Sequence, residues 1–589
     1  MSDACKRFFN LPELLELLTV CLELKDVASL ILTNRQMHRL CTPSLYNELR
    51  CVEGQAVGSR DFRIFETLTA LHALARNIKH VRILDIGIVE LAYYYNCVLA
   101  FERELQSQTT TDPLRLSGPV RLPPFFLPSA DTHSCQVVPL PPMTRLLQLD
   151  ITIGPARETS YTLPSVMDFR ARLAQTCWLI YQNPGLVSLT LSGIPFLGSH
   201  ARSLAETLAR LSRLETLVLD IRCRIHYWLE ICRQLFFCLP SSIRKVTMDF
   251  KENGRNWQFE HVSTGRVSNY VWYREDKAAA AAVMERRQEP LVHLEELSFR
   301  GKRGYWWVTT DDLAAMLAHC PNLKKLNAHF QIFDRAMDVE DVARLIAKAC
   351  PRIEVLVYGP DKEQNQMLLP LRIMGVLPAQ QVVIFELRVG PSYINEPLMN
   401  MAIQRHSTTL RELRFQKNND FISDISVSSI LNECCNLEVL HMPCTRTGGF
   451  YVTLDDTLHH PWSCAKLTHL ALGISGCEVP EEPGVEPYHH RPTPIILTTD
   501  ETRHLSRLED LYRRIGSLTA LEELDLVMVP LDEDGEVDYA ALEHDRMSFP
   551  AMLTLPDPQT GMPGYLDLFS EIKLEVLQRS IDPQRTQKG

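Results

Sequence analysis

One six-residue string returns along this chain at a nearly constant interval, and it limits the possible folds more than any other feature. The string is apolar, two variable residues, apolar, one variable, apolar. It reads Leu186-Val187-Ser188-Leu189-Thr190-Leu191 and returns at Leu214/Leu217/Leu219, Ile243/Val246/Met248, Leu294/Leu297/Phe299, Leu323/Leu326/Ala328 and Ile353/Leu356/Tyr358. Five more copies follow, at Val382/Phe385/Leu387, Leu410/Leu413/Phe415, Leu437/Leu440/Met442, Leu467/Leu470/Leu472 and Leu521/Leu524/Leu526. Val81/Leu84/Ile86 reads as an early copy and Thr144/Leu147/Leu149 as a degenerate one. From residue 186 onward the steps are 28, 29, 51, 29, 30, 29, 28, 27, 30 and 54 residues. Each of the two long steps holds one hidden repeat or one large insertion. Further degenerate copies are expected between 87 and 185. The last apolar residues of each copy alternate, so a short strand would turn them all to one side.

Between the strings the pattern becomes helical, most clearly over Asp311–His319 and Asp341–Ala349. Each of these segments opens on an acidic residue suited to a helix N-terminus. Each is followed by Cys-Pro, at Cys320-Pro321 and Cys350-Pro351, which ends the helix before the next strand. A single strand–helix unit cannot bury its own apolar side, whereas a stack of them can. The period and the string resemble the leucine-rich repeat. That resemblance implies an α/β solenoid with parallel strands on the concave side and helices on the convex side. A chain of 589 residues is also too long for one ordinary core. Doubly wound and barrel folds alternate strands and helices too, but they do not repeat one strand motif at a fixed spacing.

Residues 1–50 stand outside the repeat. Asn10 and Glu13 are spaced as a capping box, and Leu14, Leu15, Leu18 and Leu22 form one helical stripe. Asp26 is placed to cap a second helix carrying Val27, Leu30 and Ile31, and Pro43 to open a third. This small three-helix module resembles an F-box: Leu11-Pro12, the leucine-rich Leu14–Leu18, Asp26 and Asn34-Arg35 fall where that family carries its motif residues. The family's tryptophan beyond the arginine is missing, with Met37, His38 and Arg39 in its place. An F-box followed by divergent repeats is similar to the fungal F-box/leucine-rich-repeat proteins. The resemblance implies docking on a Skp-type adaptor, and through it on cullin and RING subunits, while the repeats select a protein for ubiquitylation. By that resemblance Leu11, Pro12, Leu14, Leu15 and Leu18 contact the adaptor, some of them also building the module's own core. The alternative is a helical cap on a repeat scaffold with no ligase role.

Residues 51–589 are then the repeat domain, with insertions at 108–143, 251–290 and 476–500. A further acidic tract over 531–546 reads as a solvated loop, and the aromatic residues of the second insertion, Trp257, Trp272 and Tyr273, as interface candidates. The variable strand positions face outward: Lys325, Asn327 and His329; Glu412, Arg414 and Gln416; Val439 and His441; Glu523 and Asp525; and, earlier, Thr216, Asp220, Glu296, Ser298 and Arg300. Of these, Arg300, Lys325, His329, Glu412, Arg414 and His441, with Trp306 and Trp307 after a strand, are the candidates for holding a protein target. Their signs are mixed, and the net charge is -11, so neither the surface nor the whole chain carries the basic footprint of a nucleic-acid binder.

No GxxxxGK loop, HExxH or G-x-S-x-G elbow occurs, and the expectation is a non-enzyme without cofactor or metal. His459, His460, Cys464, Cys477, His489 and His490 match no recurrent zinc spacing. The 17 cysteines are scattered through apolar runs, as buried thiols are. No stretch of 18 apolar residues is present, and the N-terminus is a poor signal peptide. These features point to an intracellular protein of cytoplasm or nucleus.

Overall fold

The computed structural model describes residues 18–19, 21–50, 77–87, 91, 143–153, 166–195, 198–223, 235–252, 289–301, 307–308, 310–329, 331–332, 338–359, 368–388, 396–416, 421–422, 427–445, 448–459, 461–476, 499–529 and 537. The chain divides into two units, Met1–Arg303 and Gly304–Gly589.

The first unit opens with helices α1 (Leu24–Ile31) and α2 (Arg35–Leu45), which pack on each other. Val27, Ile31, Met37 and Cys41 form a small core of their own, with Leu18, Leu22, Leu30, Leu40 and Leu45 against it. Two expectations are corrected here. Asp26 is not the cap of α1: the helix begins at Leu24, with Glu23 in the N-cap position, and Asp26 lies inside its first turn. Pro43 does not open a helix but lies inside α2, near its end. The start is set instead by Asn34, whose side chain accepts from the Met37 N–H at 2.9 Å. The calls on Asn10, Leu11, Pro12, Glu13, Leu14 and Leu15 lie outside the described residues.

Seven parallel strands follow: β1 (Glu48–Arg50), β2 (Ile83–Gly87), β3 (Gln148–Thr152), β4 (Ser188–Pro195), β5 (Thr216–Cys223), β6 (Lys245–Glu252) and β7 (Glu296–Gly301). Helix α3 (Val166–Tyr181) precedes β4 and α4 (Gly198–Leu208) precedes β5. Each strand pairs with the next in sequence, from Leu49 opposite Leu84 to Val246 opposite Leu297. The strand β1 falls inside residues 1–50, so the sheet begins before the boundary drawn from sequence.

The second unit contains β8 (Trp307–Val308), α5 (Thr310–Leu317), β9 (Lys325–Ala328), β10 (Gln331–Ile332), α6 (Val339–Ala349), β11 (Val355–Tyr358), α7 (Leu369–Val376), β12 (Ile384–Leu387), α8 (Glu396–His406) and β13 (Glu412–Phe415). It continues with β14 (Phe421–Ile422), α9 (Val427–Glu433), β15 (Val439–His441), β16 (Cys444–Thr445), β17 (Gly448–Thr453), α10 (Leu454–His459), β18 (His469–Ser475), α11 (Thr499–Gly516) and β19 (Glu523–Val529). Strands β9, β11, β12, β13, β15, β18 and β19 form a second parallel run in chain order. Consecutive helices from α5 to α11 pack on each other. Short pieces lie beside the main run: β8 pairs with β10, and β17 pairs with β14, β16 and β18. Gly449 holds a φ of 143° at the foot of β17, where any Cβ would lie 2.4 Å from the Pro443 carbonyl. The architecture is thus mixed α/β, with long, open parallel sheets consistent with a solenoid-like repeat.

A single backbone device sets the register. The N–H groups of Glu354 and Val355 share the Lys324 carbonyl, those of Val383 and Ile384 the Glu354 carbonyl, and those of Arg411 and Glu412 the Val383 carbonyl; the same pattern runs on to Glu522 and Glu523. The buried row is therefore strict. Leu326, Leu356, Leu413 and Leu440 are each 0% exposed, and Phe385 is 1% exposed. The early copy at Thr144/Leu147/Leu149 is corrected to Leu146/Leu149/Ile151. All three of these are buried, whereas Leu147 is exposed, and Ile151 pairs with Ile86. The Leu146-Leu147 doublet permits both frames in sequence, and strand alternation selects one.

The long steps also resolve. Strand β6 pairs directly with β7, and β18 directly with β19, so each long step is an insertion and not a hidden rung. Only β3 stands between β2 and β4. The insertions are narrower than expected: Met143 is buried, β6 runs to Glu252 and α11 begins at Thr499. Within the acidic tract, Val537 is not solvated but buried with Cys444, Tyr451 and Val529. Helix α6 is capped by Asp338, whose carboxylate accepts from the Glu340 N–H at 3.1 Å, three residues before the start expected from sequence; Asp341 falls in its first turn.

Candidate functional site

Alternation along each rung leaves three residues on the face opposite the buried row. In the second unit, from β12 to β19, this face is mostly polar and in register. One row runs Glu386, Arg414, His441, Ala471, Asp525 across β12, β13, β15, β18 and β19. The next runs Ile384, Glu412, Val439, His469, Glu523. Three of the expected target-binding residues, Glu412, Arg414 and His441, therefore come together on adjacent rungs.

The charges on this face are largely compensated within strands. Arg388 Nε donates to Glu386 at 2.8 Å, and Arg414 Nε to Glu412 at 2.8 Å. His469 Nε2 lies 2.9 Å from Glu523 Oε2, while its Nδ1 lies 2.9 Å from the Thr468 hydroxyl. Burial pushes the pKa of His441 below its ordinary value and Arg414 adds to this, against opposition from Asp525, Glu523 and Glu386. Burial raises the Asp525 carboxyl; Glu523 adds to the rise and His441 opposes it.

The remaining candidates are dispersed. Lys325 and His329 sit on and just after β9, three rungs from β13. The His329 ring lies against Gly359 of the next rung, where a Cβ would be 2.8 Å from Nδ1. Arg300 is exposed on β7 of the first unit, opposite Asp249. Trp307 belongs to β8, whose backbone pairs with β10. Trp306, Trp257, Trp272 and Tyr273 lie outside the described residues. Three positions expected to face solvent are instead buried: Asn327, Val439 and Ser298.

The cysteine before a strand at 320 and 350 was legible in the sequence; Cys434 and Cys464 hold the same place before β15 and β18. All four are 0% exposed. Burial pushes the thiols of Cys350 and Cys434 up to about 12 and that of Cys464 to about 11, which keeps them protonated at neutral pH. Two buried polar staples were missed. Asn183 accepts from the Leu146 N–H at 3.0 Å and donates to the carbonyls of Met143 and Leu179. The His406 ring ties together the backbone groups of Met374, Gln381 and Val382. Among the described residues no three His, Cys, Asp or Glu side chains gather to hold a metal ion, and no helix is long and apolar enough to cross a membrane. Cys477, His489 and His490 lie outside the described residues.

Fold and face together define a class: a parallel strand–helix repeat protein with a charged, in-register side-chain array on its open sheet face. The chain matches no protein-family model and no curated protein.

Proposed function

We propose that this chain is a non-catalytic receptor. In this reading a leucine-rich-repeat solenoid, with strands concave and helices convex, holds a protein target. An F-box-like N-terminal module docks it on a Skp-type adaptor, and through that on the cullin and RING subunits of an SCF-type ubiquitin ligase. The observation that carries the reading is the polar array on five rungs in register, since regularly spaced side chains on a rigid sheet suit recognition of another chain. A receptor of this kind needs no catalytic group of its own.

The adaptor half draws support from α1 and α2. They have a core of their own, yet Leu32 at the turn between them is 85% exposed. So large an apolar side chain left in water suits a partner's apolar pocket. Leu18, in contrast, packs on the module's core.

The test is capture of the full-length chain by a purified Skp-type adaptor. Wild type is expected to bind at micromolar concentration, and Leu32→Glu to bind roughly tenfold more weakly or worse. Because Leu32 touches little, the melting temperature of the variant should match wild type. A folded wild-type chain that ignores the adaptor would end the ligase half and favour a repeat scaffold with no ligase role.

A further inference from the structure

Helix α3 buries one side and leaves an aromatic stripe on the other. Leu173, Thr176, Leu179 and Ile180 are each 2% exposed or less. Cys177 turns toward α4, where its thiol meets the Thr207 side chain. Ala174, Trp178 and Tyr181, spaced by four and then three residues, share the side opposite the buried one. Ala174 is exposed, Trp178 is 44% exposed and Tyr181 55%. A single apolar side chain on a surface is ordinary, but two large rings one turn apart are not.

The rings have cations beside them. Just after α4, the Arg210 guanidinium lies 5.1 Å from the centre of the Tyr181 ring. The chain turns tightly there, with the N–H of Arg210 bonded to the Thr207 carbonyl, that of Leu211 to Leu208 and that of Ser212 to Arg210, so Arg213 belongs to the same exposed turn. Arg244, Arg388, Arg411 and Arg414 each meet a carboxylate. Among the described residues Arg210 and Arg213 meet none, and Glu215, two residues further on, is taken by Arg244.

We propose that this outward patch docks an acidic segment of a partner protein, with an apolar side chain of that segment on the Trp178 and Tyr181 rings and its carboxylates on Arg210 and Arg213. The patch lies on the helix side of the first unit, so it goes beyond the receptor reading and does not depend on it. Charge selects the occupant. Two unpaired guanidiniums would repel a basic segment, and a wholly apolar one would cover them without supplying a counterion. Trp, Tyr and Arg are also the side chains that most often carry the binding energy of a protein interface. The Tyr181 ring holds the Arg210 head in place beforehand, so less side-chain freedom is lost when a carboxylate arrives. Single-stranded nucleic acid also uses rings and arginines, but two guanidiniums are few for a phosphate backbone on a chain of net charge -11.

Fluorescence anisotropy tests this with a labelled hexapeptide, two leucines between two pairs of glutamates, added to the full-length chain. Saturable binding is expected, roughly tenfold or more tighter than that of the same peptide with lysines for glutamates. Trp178→Ala and Arg210→Glu should each weaken it by roughly tenfold. Both side chains are exposed, so the melting temperature should stay at the wild-type value in each variant. Lys348→Glu reverses an exposed charge in the last turn of α6 and should change binding by less than about twofold. Equal loss in Lys348→Glu would mean that the peptide reads only the net charge, and would overturn the site. So would unchanged binding in Trp178→Ala. Tighter binding of labelled oligothymidylate than of the peptide would overturn it in favour of nucleic acid. A dimer that forms without peptide and is lost in Trp178→Ala would overturn it in favour of a second copy of this chain. Capture by the Skp-type adaptor should be normal in all three variants, so a failed patch and a failed ligase reading give different patterns.

Discussion

Phe415→Ala will destabilise the second unit by about 3–5 kcal/mol, the usual cost of truncating a buried phenylalanine. Phe415 is 1% exposed. Its ring centroid lies 6.2 Å from that of Phe385, nearly edge-on, and 5.0 Å from that of Phe450. It thus joins the buried face of β12 and β13 to the side strand β17. No neighbour can close the space without leaving its own rung, because each rung is held by the shared carbonyl of the one before. In a stacked repeat the loss spreads to adjacent units, since each is stable only against its neighbours. Hydrogen exchange read strand by strand should therefore show protection falling by about two orders of magnitude or more, on β12 and β15 as well as β13. A loss confined to β13, with both neighbours at wild-type protection, would mean that the rungs do not support one another.

The strand positions were legible because the buried row is read directly by water. A polar residue at Leu326 or Leu413 would unfold a rung, so the apolar spacing shows in the sequence wherever the rung is regular. Legibility failed in three physically distinct ways. At Leu146-Leu147 two adjacent leucines fit two frames, and only pairing with β2 selects one. Within the long steps nothing local distinguishes an absent rung from a weak one; the direct pairing of β18 with β19 does so across more than forty residues. On the open face, alternation gives the direction of a side chain but not its exposure, so Asn327 and Val439 were expected outside and lie buried.

The candidate site was half legible for the same reason. Glu412, Arg414 and His441 could be named because they fall between motif leucines. Their alignment with Ala471 and Asp525 could not, because His441 and Asp525 are separated in sequence by an insertion and by α11. Cap positions were misplaced by similar short-range ambiguity. Asp338 and Asp341 both suit a helix start, and the choice depends on which carboxylate meets an N–H group.

His406 carries the second large effect, and it is one that depends on pH. The residue ends α8 and is 0% exposed. Its Nδ1 accepts from the N–H groups of Gln381 and Val382, at 3.2 and 3.3 Å, and its Nε2 donates to the Met374 carbonyl at 2.9 Å. This arrangement requires the neutral ring with the proton on Nε2. It fastens the end of one helix to the preceding helix and to the entry of the preceding strand. His406→Leu keeps the volume but leaves two N–H groups and one carbonyl unpaired, and is expected to cost about 2–4 kcal/mol at neutral pH. Burial holds the His406 pKa below its ordinary value; the Met374 hydrogen bond opposes this and Arg405 adds to it. The unfolded chain then binds the proton more readily than the folded one, so stability rises with pH. The contribution is complete above the free imidazole value of about 6.5 and is lost as pH falls from there toward the lower folded value. His80 and His441 are also held down and slope the same way, so the share of His406 is the difference between wild type and variant. Urea midpoints measured on either side of pH 6.5 should fall more steeply toward acid in wild type than in His406→Leu. Equal slopes in the two proteins would show that His406 can be protonated without breaking the staple, which its two N–H donors forbid.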